Sequence, residues 1–257
     1  MIYVILPAYN EEKALPLIFA SLKKVISDSK EEMRIVICND GSTDTTLDVA
    51  RSYEGKLPVT ILDHGVNKGL GRAMRTLMYH IVEVANPDDA AVAMDADNTH
   101  NPALIPKMRE RINAGADVVI ASRYHPDGDE VGLSGFRRVL SRGASILLGI
   151  FFHIKGARDY TCGYRMYRVA RLKEAREIYG EDFITERNFV CMAEILIKLD
   201  MIGAKVDEVG LILRYDLKGG PSKMRFARTI AKYLVMIWRW GIMGGLSRYS
   251  KHNSDCV

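Results

Sequence analysis

Two periodicities alternate along this chain. Runs of consecutive apolar residues end in polar loops, and between them lie stretches whose apolar positions recur three and four residues apart. The runs YVILPAY, RIVICND, PVTILD, AAVAMDAD and ADVVIASR predict strands over 3–9, 34–40, 58–63, 90–97 and 116–123. Between them, EEKALPLIFASLKKVI (11–26), STDTTLDVARSY (42–53), GLGRAMRTLMYHIVEV (69–84) and PALIPKMRERIN (102–113) predict helices. In the first of these, Leu15, Ile18, Leu22 and Val25 share a face, and Pro16 falls in the opening turns, where proline is tolerated. Near-continuous apolar strands alternating with helices predict an α/β fold whose mostly parallel sheet is covered on both sides. Such sheets bind ligands beyond the carboxyl ends of their strands. Asn10, Asp40, Asp63, Asp95 and Arg123 all stand at strand ends and should meet on one rim.

The second half is less regular. GFRRVLSRGASILLGIFFHI (135–154) is helical, basic at its start and very apolar at its end. CGYRMYRV reads as a strand, RNFVCMAEILIKL as a helix and KVDEVGLILRY as a strand, followed by a basic, apolar helix from about Ser222 to Trp240. No Pro/Gly/Ser-rich linker interrupts the 257 residues, so the expected organisation is one catalytic-size domain, 1–221, with a basic amphipathic extension, 222–257.

Composition changes this picture little, but charge changes it more. A composition 48% hydrophobic and 26% charged is that of an ordinary globular protein, and the formal charge of +4 is mild. Its distribution is uneven: from Arg214 to Lys251 there are nine basic residues, and Asp216 is the one acid. A quarter this basic points to an anionic partner, phosphates or a lipid surface; no nucleic acid is expected. The four cysteines, Cys38, Cys162, Cys191 and Cys256, show neither CxxC nor metal-ligand spacing, so a disulfide framework or zinc site is not expected. No signal peptide is expected ahead of MIYVILP, and YLVMIWRWGIMGGL (233–246) is too short for a bilayer span and carries Arg239.

The candidate chemistry centres on AVAMDADNTHNP, where an apolar run ends in Asp95 and Asp97. Two carboxylates one residue apart repel each other and resist desolvation unless a cation lies between them. Their hard oxygens suit Mg²⁺ or Mn²⁺, ions that complete their shells with water and substrate phosphates. By itself Asp-x-Asp is equally a solvated pair or a helix cap.

The surrounding motifs narrow the choice. VILPAYNEE, CNDGSTDTT, NKGLGRAM and MDADNTHNP occur in the order and spacing of glycosyltransferase family 2, which the chain resembles over roughly residues 1–240. ASRY, SRGAS, DYTCGYRMYR and GGPSK resemble its polyprenyl-phosphate branch, typified by dolichyl-phosphate mannose synthases. The resemblance implies a GT-A fold, Rossmann-like, and an inverting, metal-dependent transfer of a sugar from a GDP- or UDP-linked donor to a polyprenyl phosphate. Mannose or glucose is the implied sugar. Pro7, Ala8, Tyr9, Glu11, Asp40 and Gly69 would line the nucleotide pocket, with Gly69 and Gly71 letting the backbone approach the ligand. Asp95 and Asp97 would serve the nucleotide-sugar and would both belong to the metal site, with Asp97 favoured over Asp95 as a direct ligand. The relatives commonly carry Gln where this chain has Thr99, which leaves the third ligand open, and His100 reads as a surface residue.

On the acceptor side the resemblance places Arg123, Arg138, Arg142, Ser145, Arg214 and Lys223 around the phosphate, since guanidinium forks match phosphate oxygens. It gives Asp159, Arg165 and Glu194 supporting roles. The basic-apolar helices, with Trp238 and Trp240 as anchors, suit a peripheral position on the cytosolic face of a membrane, or else an oligomer interface. The rival is a family 2 enzyme with a hydroxyl acceptor, for which GED (180–182) faintly resembles the acidic base motif, and MIWRW (236–240) resembles QxxRW with Met236 in place of Gln. A degenerate, non-catalytic family member is the third reading.

Overall fold

Five predicted strands form where the apolar runs lie: β1 (Ile2–Ala8), β2 (Met33–Asn39), β3 (Val59–Asp63), β4 (Ala90–Ala93) and β5 (Val118–Ser122). The computed structural model describes residues 1–218 and 226–238. β1, β2, β4 and β5 are buried almost throughout, because helices cover both faces of the sheet. The connecting helices are α1 (Leu15–Asp28), α2 (Thr46–Arg51), α3 (Leu70–Val84) and α4 (Ile105–Asn113), and α1 turns Leu15, Ile18, Phe19 and Leu22 into the core.

After β5 come β6 (Asp129–Val131), α5 (Gly135–Phe152), β7 (Arg165–Arg168), α6 (Val169–Tyr179), α7 (Cys191–Met201), β8 (Val206–Gly210), β9 (Ile212–Arg214) and α8 (Phe226–Met236). The main sheet runs β3-β2-β1-β4-β7-β5-β8. β7 is inserted antiparallel between β4 and β5, and the other pairings are parallel. That insertion is invisible to local periodicity, which predicts the strand but not its direction.

Three features depart from the sequence pattern. The single strand read over KVDEVGLILRY is two, β8 in the main sheet and β9 paired with β6 in a separate ribbon. Gly210 makes the break: a Cβ there would lie 2.7 Å from the Asp127 backbone. The short β6 and the helix α6, whose apolar positions are interrupted by charges, carry no strong periodic signal. The long helix α5 forms as expected and packs on α8, which spans the described middle of the helix expected over 222–240, whose two ends lie outside the described residues. Lys223, Trp240 and the GGPSK motif lie outside the described residues.

Candidate active site

A cavity of about 590 Å³ opens beyond the carboxyl ends of β1, β2, β4 and β5. Pro7, Ala8, Tyr9, Glu11, Asp40, Gly69, Asp95, Asp97 and Arg123 all line it. Two of the strand-end residues do not: Asn10 accepts from Thr43 N at 2.8 Å, and Asp63 accepts from Asn39 Nδ2 at 2.8 Å and Gly65 N at 3.1 Å. These hold the loops whose neighbours line the cavity.

Asp40 is a clasp as well as a strand-end acid. Its Oδ1 accepts from Lys68 N at 2.9 Å and from His64 Nδ1 at 2.7 Å, and its Oδ2 accepts from Gly69 N at 2.8 Å. His64 Nε2 in turn lies 2.9 Å from Thr76 Oγ1 on α3. The carboxylate therefore ties β2 to the start of α3 while one edge faces the cavity. The glycines there also serve an end the sequence did not suggest. A Cβ on Gly71 would meet Glu186 O at 1.8 Å and one on Gly69 would meet Arg187 O at 2.6 Å, so both glycines admit the 186–187 loop. Gly71 N donates to Arg187 O at 3.1 Å.

The Asp-x-Asp pair is asymmetric. Asp97 is buried: its Oδ1 accepts from Thr99 Oγ1 at 2.6 Å and Thr99 N at 3.2 Å, and its Oδ2 pairs with Lys218 Nζ at 2.5 Å. Burial works against this carboxylate, but the Lys218 charge, the nearby His100 ring and the hydrogen bonds from Lys218 and Thr99 hold its pKa below the ordinary range. The Asp95 carboxyl moves the other way: burial pushes it up, His100 opposes, and the Asp97 charge adds to the rise. The cation that the sequence demanded between carboxylates is, here, partly the Lys218 ammonium.

His100 is not the surface residue the sequence suggested. It is 4% exposed, stacks on Tyr164 with ring centroids 5.0 Å apart, and accepts the Asp95 N–H on Nδ1 at 3.0 Å. Its proton therefore sits on Nε2, 4.0 Å from Asp95 Oδ2, where it favours the carboxylate rather than a metal. Among the described residues no three His, Cys, Asp or Glu side chains converge as a metal cage. Asp95, Asp97 and the Thr99 hydroxyl oxygen remain a fitting hard donor set for Mg²⁺ or Mn²⁺ whose other ligands come from a diphosphate, provided that Lys218 yields Asp97 Oδ2.

The arginines expected around the acceptor phosphate gather near the β6–β9 ribbon, and the donors of Arg123 and Arg214 are committed. Every side-chain N–H of Arg123 is used: Nε and Nη2 grip Asp159 at 2.7 Å each, Nη2 also reaches Thr161 Oγ1 at 2.7 Å, and Nη1 reaches Ser141 Oγ at 2.9 Å and Glu130 at 3.1 Å. Burial opposes charge on Asp159, but the Arg123 guanidinium holds its pKa below the ordinary value. Burial pushes the Glu130 carboxyl up, with Arg123 opposing. Arg138 bonds the Glu130 carbonyl, Arg142 lies over the Tyr124 ring, and Ser145 Oγ stands 3.5 Å from Thr161 Oγ1. Arg214 forks onto Asp216 at 2.9 and 2.7 Å, outside the cavity. The buried Arg165 donates to the Met192 and Tyr160 carbonyls, and Glu194 accepts from Thr185 N, Thr185 Oγ1 and Glu186 N.

The cavity wall also contains residues the sequence did not single out: Lys218, Thr161, Thr229 on α8, and Arg187, Asn188 and Phe189. Thr161 lies inside the DYTCGYRMYR motif, Arg187, Asn188 and Phe189 open the segment read as a helix, and Thr229 lies on the basic, apolar helix, but none of these signals marks a cavity residue; only the basic bias of the C-terminal quarter pointed toward Lys218. The GED carboxylates turn elsewhere. Glu181 is 68% exposed and pairs with Arg75 and Arg176, and neither it nor Asp182 lines the cavity.

The profile described as Glycosyl transferase family 2 matches residues 3–175. The chain is 31% identical over 237 residues to a dolichol-phosphate mannosyltransferase of Pyrococcus furiosus, covering 92% of this chain and 62% of that protein. It is 28% identical over 242 residues to an undecaprenyl-phosphate mannosyltransferase of Micrococcus luteus, covering 94% of each. With a polyprenol monophosphomannose synthase of Mycolicibacterium smegmatis the identity is 30% over 251 residues, 95% of this chain and 88% of that one. In fold, it is similar to the glucosyl-3-phosphoglycerate synthase of Mycobacterium tuberculosis solved with Mn²⁺, UDP-glucose and phosphoglyceric acid, with a TM-score of 0.65 at 16% identity over 93% of this chain and 79% of that one.

Proposed function

We propose, since the chain belongs to glycosyltransferase family 2, that this glycosyltransferase moves a hexose, mannose or glucose, from a GDP- or UDP-linked donor to a polyprenyl phosphate, with inversion. The observation that carries this reading is the placement of charge around the cavity. Its carboxylates, Glu11, Asp40, Asp95 and Asp97, line the cavity with the residues proposed for the nucleotide, while Arg123 and its acidic partners form another part of the wall and GED lies outside it. A hydroxyl acceptor must lose a proton as it attacks and needs a positioned base. A phosphate monoester, with its second pKa near ~6, is already largely dianionic at neutral pH. One of its oxygens forms the new bond to the anomeric carbon as the bond to the donor diphosphate breaks, and no proton has to move.

The chain's own task is then to hold two anions in line. Asp40 and the strand-end backbone seat the nucleotide; Asp95 and Asp97 with Thr99 would hold a divalent ion, which offsets the charge of the departing diphosphate. The relatives' names support the lipid phosphate acceptor, and the neighbouring fold solved with Mn²⁺ and UDP-glucose supports a divalent ion and a nucleotide-sugar. The test offers GDP- and UDP-sugars with Mg²⁺ or Mn²⁺ to either a short polyprenyl phosphate or the corresponding polyprenol. Glycolipid detected by mass spectrometry with the phosphate alone is the expected result; product with the polyprenol would favour the hydroxyl-acceptor reading.

The same reading includes a peripheral place on the cytosolic membrane face. No helix among the described residues is long and apolar enough to cross a membrane. Instead α5 exposes Phe136 (75%), Val139 (70%), Ile146 and Ile150 along one stripe, and α8 packed beside it exposes Leu234 and Val235, with Trp238 exposed just past its end. Arg137, Arg138 and Arg142 accompany the stripe, as suits anionic headgroups. The division at residue 221 into a catalytic unit and an extension belongs to this proposal, although Thr229 lines the cavity and Tyr233, Met236 and Ile237 are buried. Truncation would uncover those residues, so charges placed on the stripe are the cleaner probe. Ile146→Asp with Val235→Asp should abolish flotation with anionic liposomes at low salt while nucleotide binding persists. Flotation unchanged in the double variant would remove the interfacial assignment.

A further inference from the structure

The charges of the cavity do not balance for the ligands just proposed. A diphosphate and a lipid phosphate would enter a space lined by Glu11, Asp40, Asp95 and Asp97. Of the cations in its described wall, Arg123 has spent every side-chain N–H on Asp159, Glu130, Ser141 and Thr161, and Lys218 is paired with Asp97. Arg187 differs. It lines the same cavity, is exposed, and makes no ion pair or side-chain hydrogen bond among the described residues. Its acidic neighbour Glu186 does not neutralise it, because that carboxylate takes Lys232 Nζ of α8 at 2.9 Å.

The backbone beneath Arg187 is held firmly. Glu194, fully buried, accepts from Thr185 N and Glu186 N at 3.0 and 2.8 Å and pairs with Lys198 Nζ at 2.7 Å. Lys198 in turn binds the carbonyls of Asp182 and Phe183. Arg187 O closes the other side on Gly71 N at the first turn of α3, a helix start that Gly71 makes close enough only by lacking a Cβ. A fixed main chain carrying an uncommitted guanidinium into a cavity is the arrangement an anion-gripping residue requires: ordering costs are met by the fold, and the fork is left for the ligand. The start of α3 adds partial positive charge beside it.

We propose that Arg187 binds phosphate oxygens in this cavity, as the guanidinium that the Arg123 hub cannot supply. This rests on the phosphate-to-phosphate reading above. The donor diphosphate and the lipid phosphate share this chemistry, and the experiment separates them.

The full chain with Arg187→Ala, Arg187→Lys and, as a control, Arg176→Ala is titrated calorimetrically with GDP and UDP in the presence of Mn²⁺, and separately with a short prenyl phosphate. Arg176 carries the same charge but pairs with Glu181 away from the cavity. A charge-assisted hydrogen bond of this kind is worth about 10- to 100-fold in affinity. Arg187→Ala should weaken one ligand by that factor with Tm unchanged; Arg187→Lys should recover part of it, and Arg176→Ala should match the wild type. Weakening confined to the nucleoside diphosphate assigns the residue to the donor, and weakening confined to the prenyl phosphate assigns it to the acceptor. Unchanged affinity for both ligands in Arg187→Ala, or equal losses in Arg187→Ala and Arg176→Ala, would overturn the proposal and leave a solvated surface arginine. Because binding is read without turnover, a wild-type protein that binds both ligands yet forms no glycolipid would sink the transfer reading instead.

Discussion

The two sides of the cavity are built on opposite principles. On the side proposed for the nucleotide, acids at strand ends take hydrogen bonds from backbone N–H groups close in the fold: Asp40 from Lys68 and Gly69, Asp97 from Thr99. Those bonds leave charge and lone pairs facing the cavity. On the side proposed for the acceptor, basic residues are bound to carboxylates: Arg123, in the cavity wall, to Asp159 and Glu130, and beyond that wall Arg138 to Glu130 and Arg214 to Asp216. The first side presents its functional groups, and the second spends most of them on its own assembly. A list of matching residues cannot separate these cases, because an arginine that grips a ligand and one that grips a neighbouring carboxylate are the same letter.

The comparison breaks hardest at Asp97. Asp97→Asn removes the charge that faces both Lys218 and a divalent ion, and turnover should fall about 100- to 1000-fold with the fold intact. Chelation by EDTA should reproduce the loss in the wild type. Full activity of the wild type in excess EDTA would refute the metal assignment.

The acceptor side should instead respond through stability. Asp159→Asn leaves the buried Arg123 short of its main partner and should cost about 3–5 kcal/mol in denaturant unfolding, much more than a loss of binding would explain. The sign of its pH dependence follows from the depressed Asp159 pKa. The stabilisation is fully present above the unfolded carboxylate value, ~3.9, and is lost as pH falls through the lower folded value. The gap between wild type and Asp159→Asn should therefore narrow below about pH 4. A variant as stable as the wild type at pH 7 would erase the contrast between the two sides.

The smallest effect is expected at GED. Glu181→Gln and Asp182→Asn should keep kcat within about twofold, since neither carboxyl reaches the cavity and an exposed ion pair contributes little. A collapse of kcat in Asp182→Asn, with melting unchanged, would restore the hydroxyl-acceptor alternative.

Much of this molecule was legible along the chain. Strand-end residues Asp40, Asp95 and Arg123 meet on one rim because alternating apolar runs and helices leave a parallel sheet few ways to form, and its carboxyl edge is then determined. The order of short motifs identified the family by resemblance, and the profile match and the relatives agree with it. These features are local: period, turn chemistry and strand-end acids need only neighbours in sequence. What tertiary structure alone decided is long-range. The antiparallel direction of β7, the burial of His100 against Tyr164, the Lys218 ammonium on Asp97, and the loop that Gly71 admits each join segments with no mutual signal in sequence. Pairing of charges is set by packing geometry, not by spacing along the chain. For that reason the sequence could name the cavity's acids, while only the fold could show which of its cations remain free for a ligand.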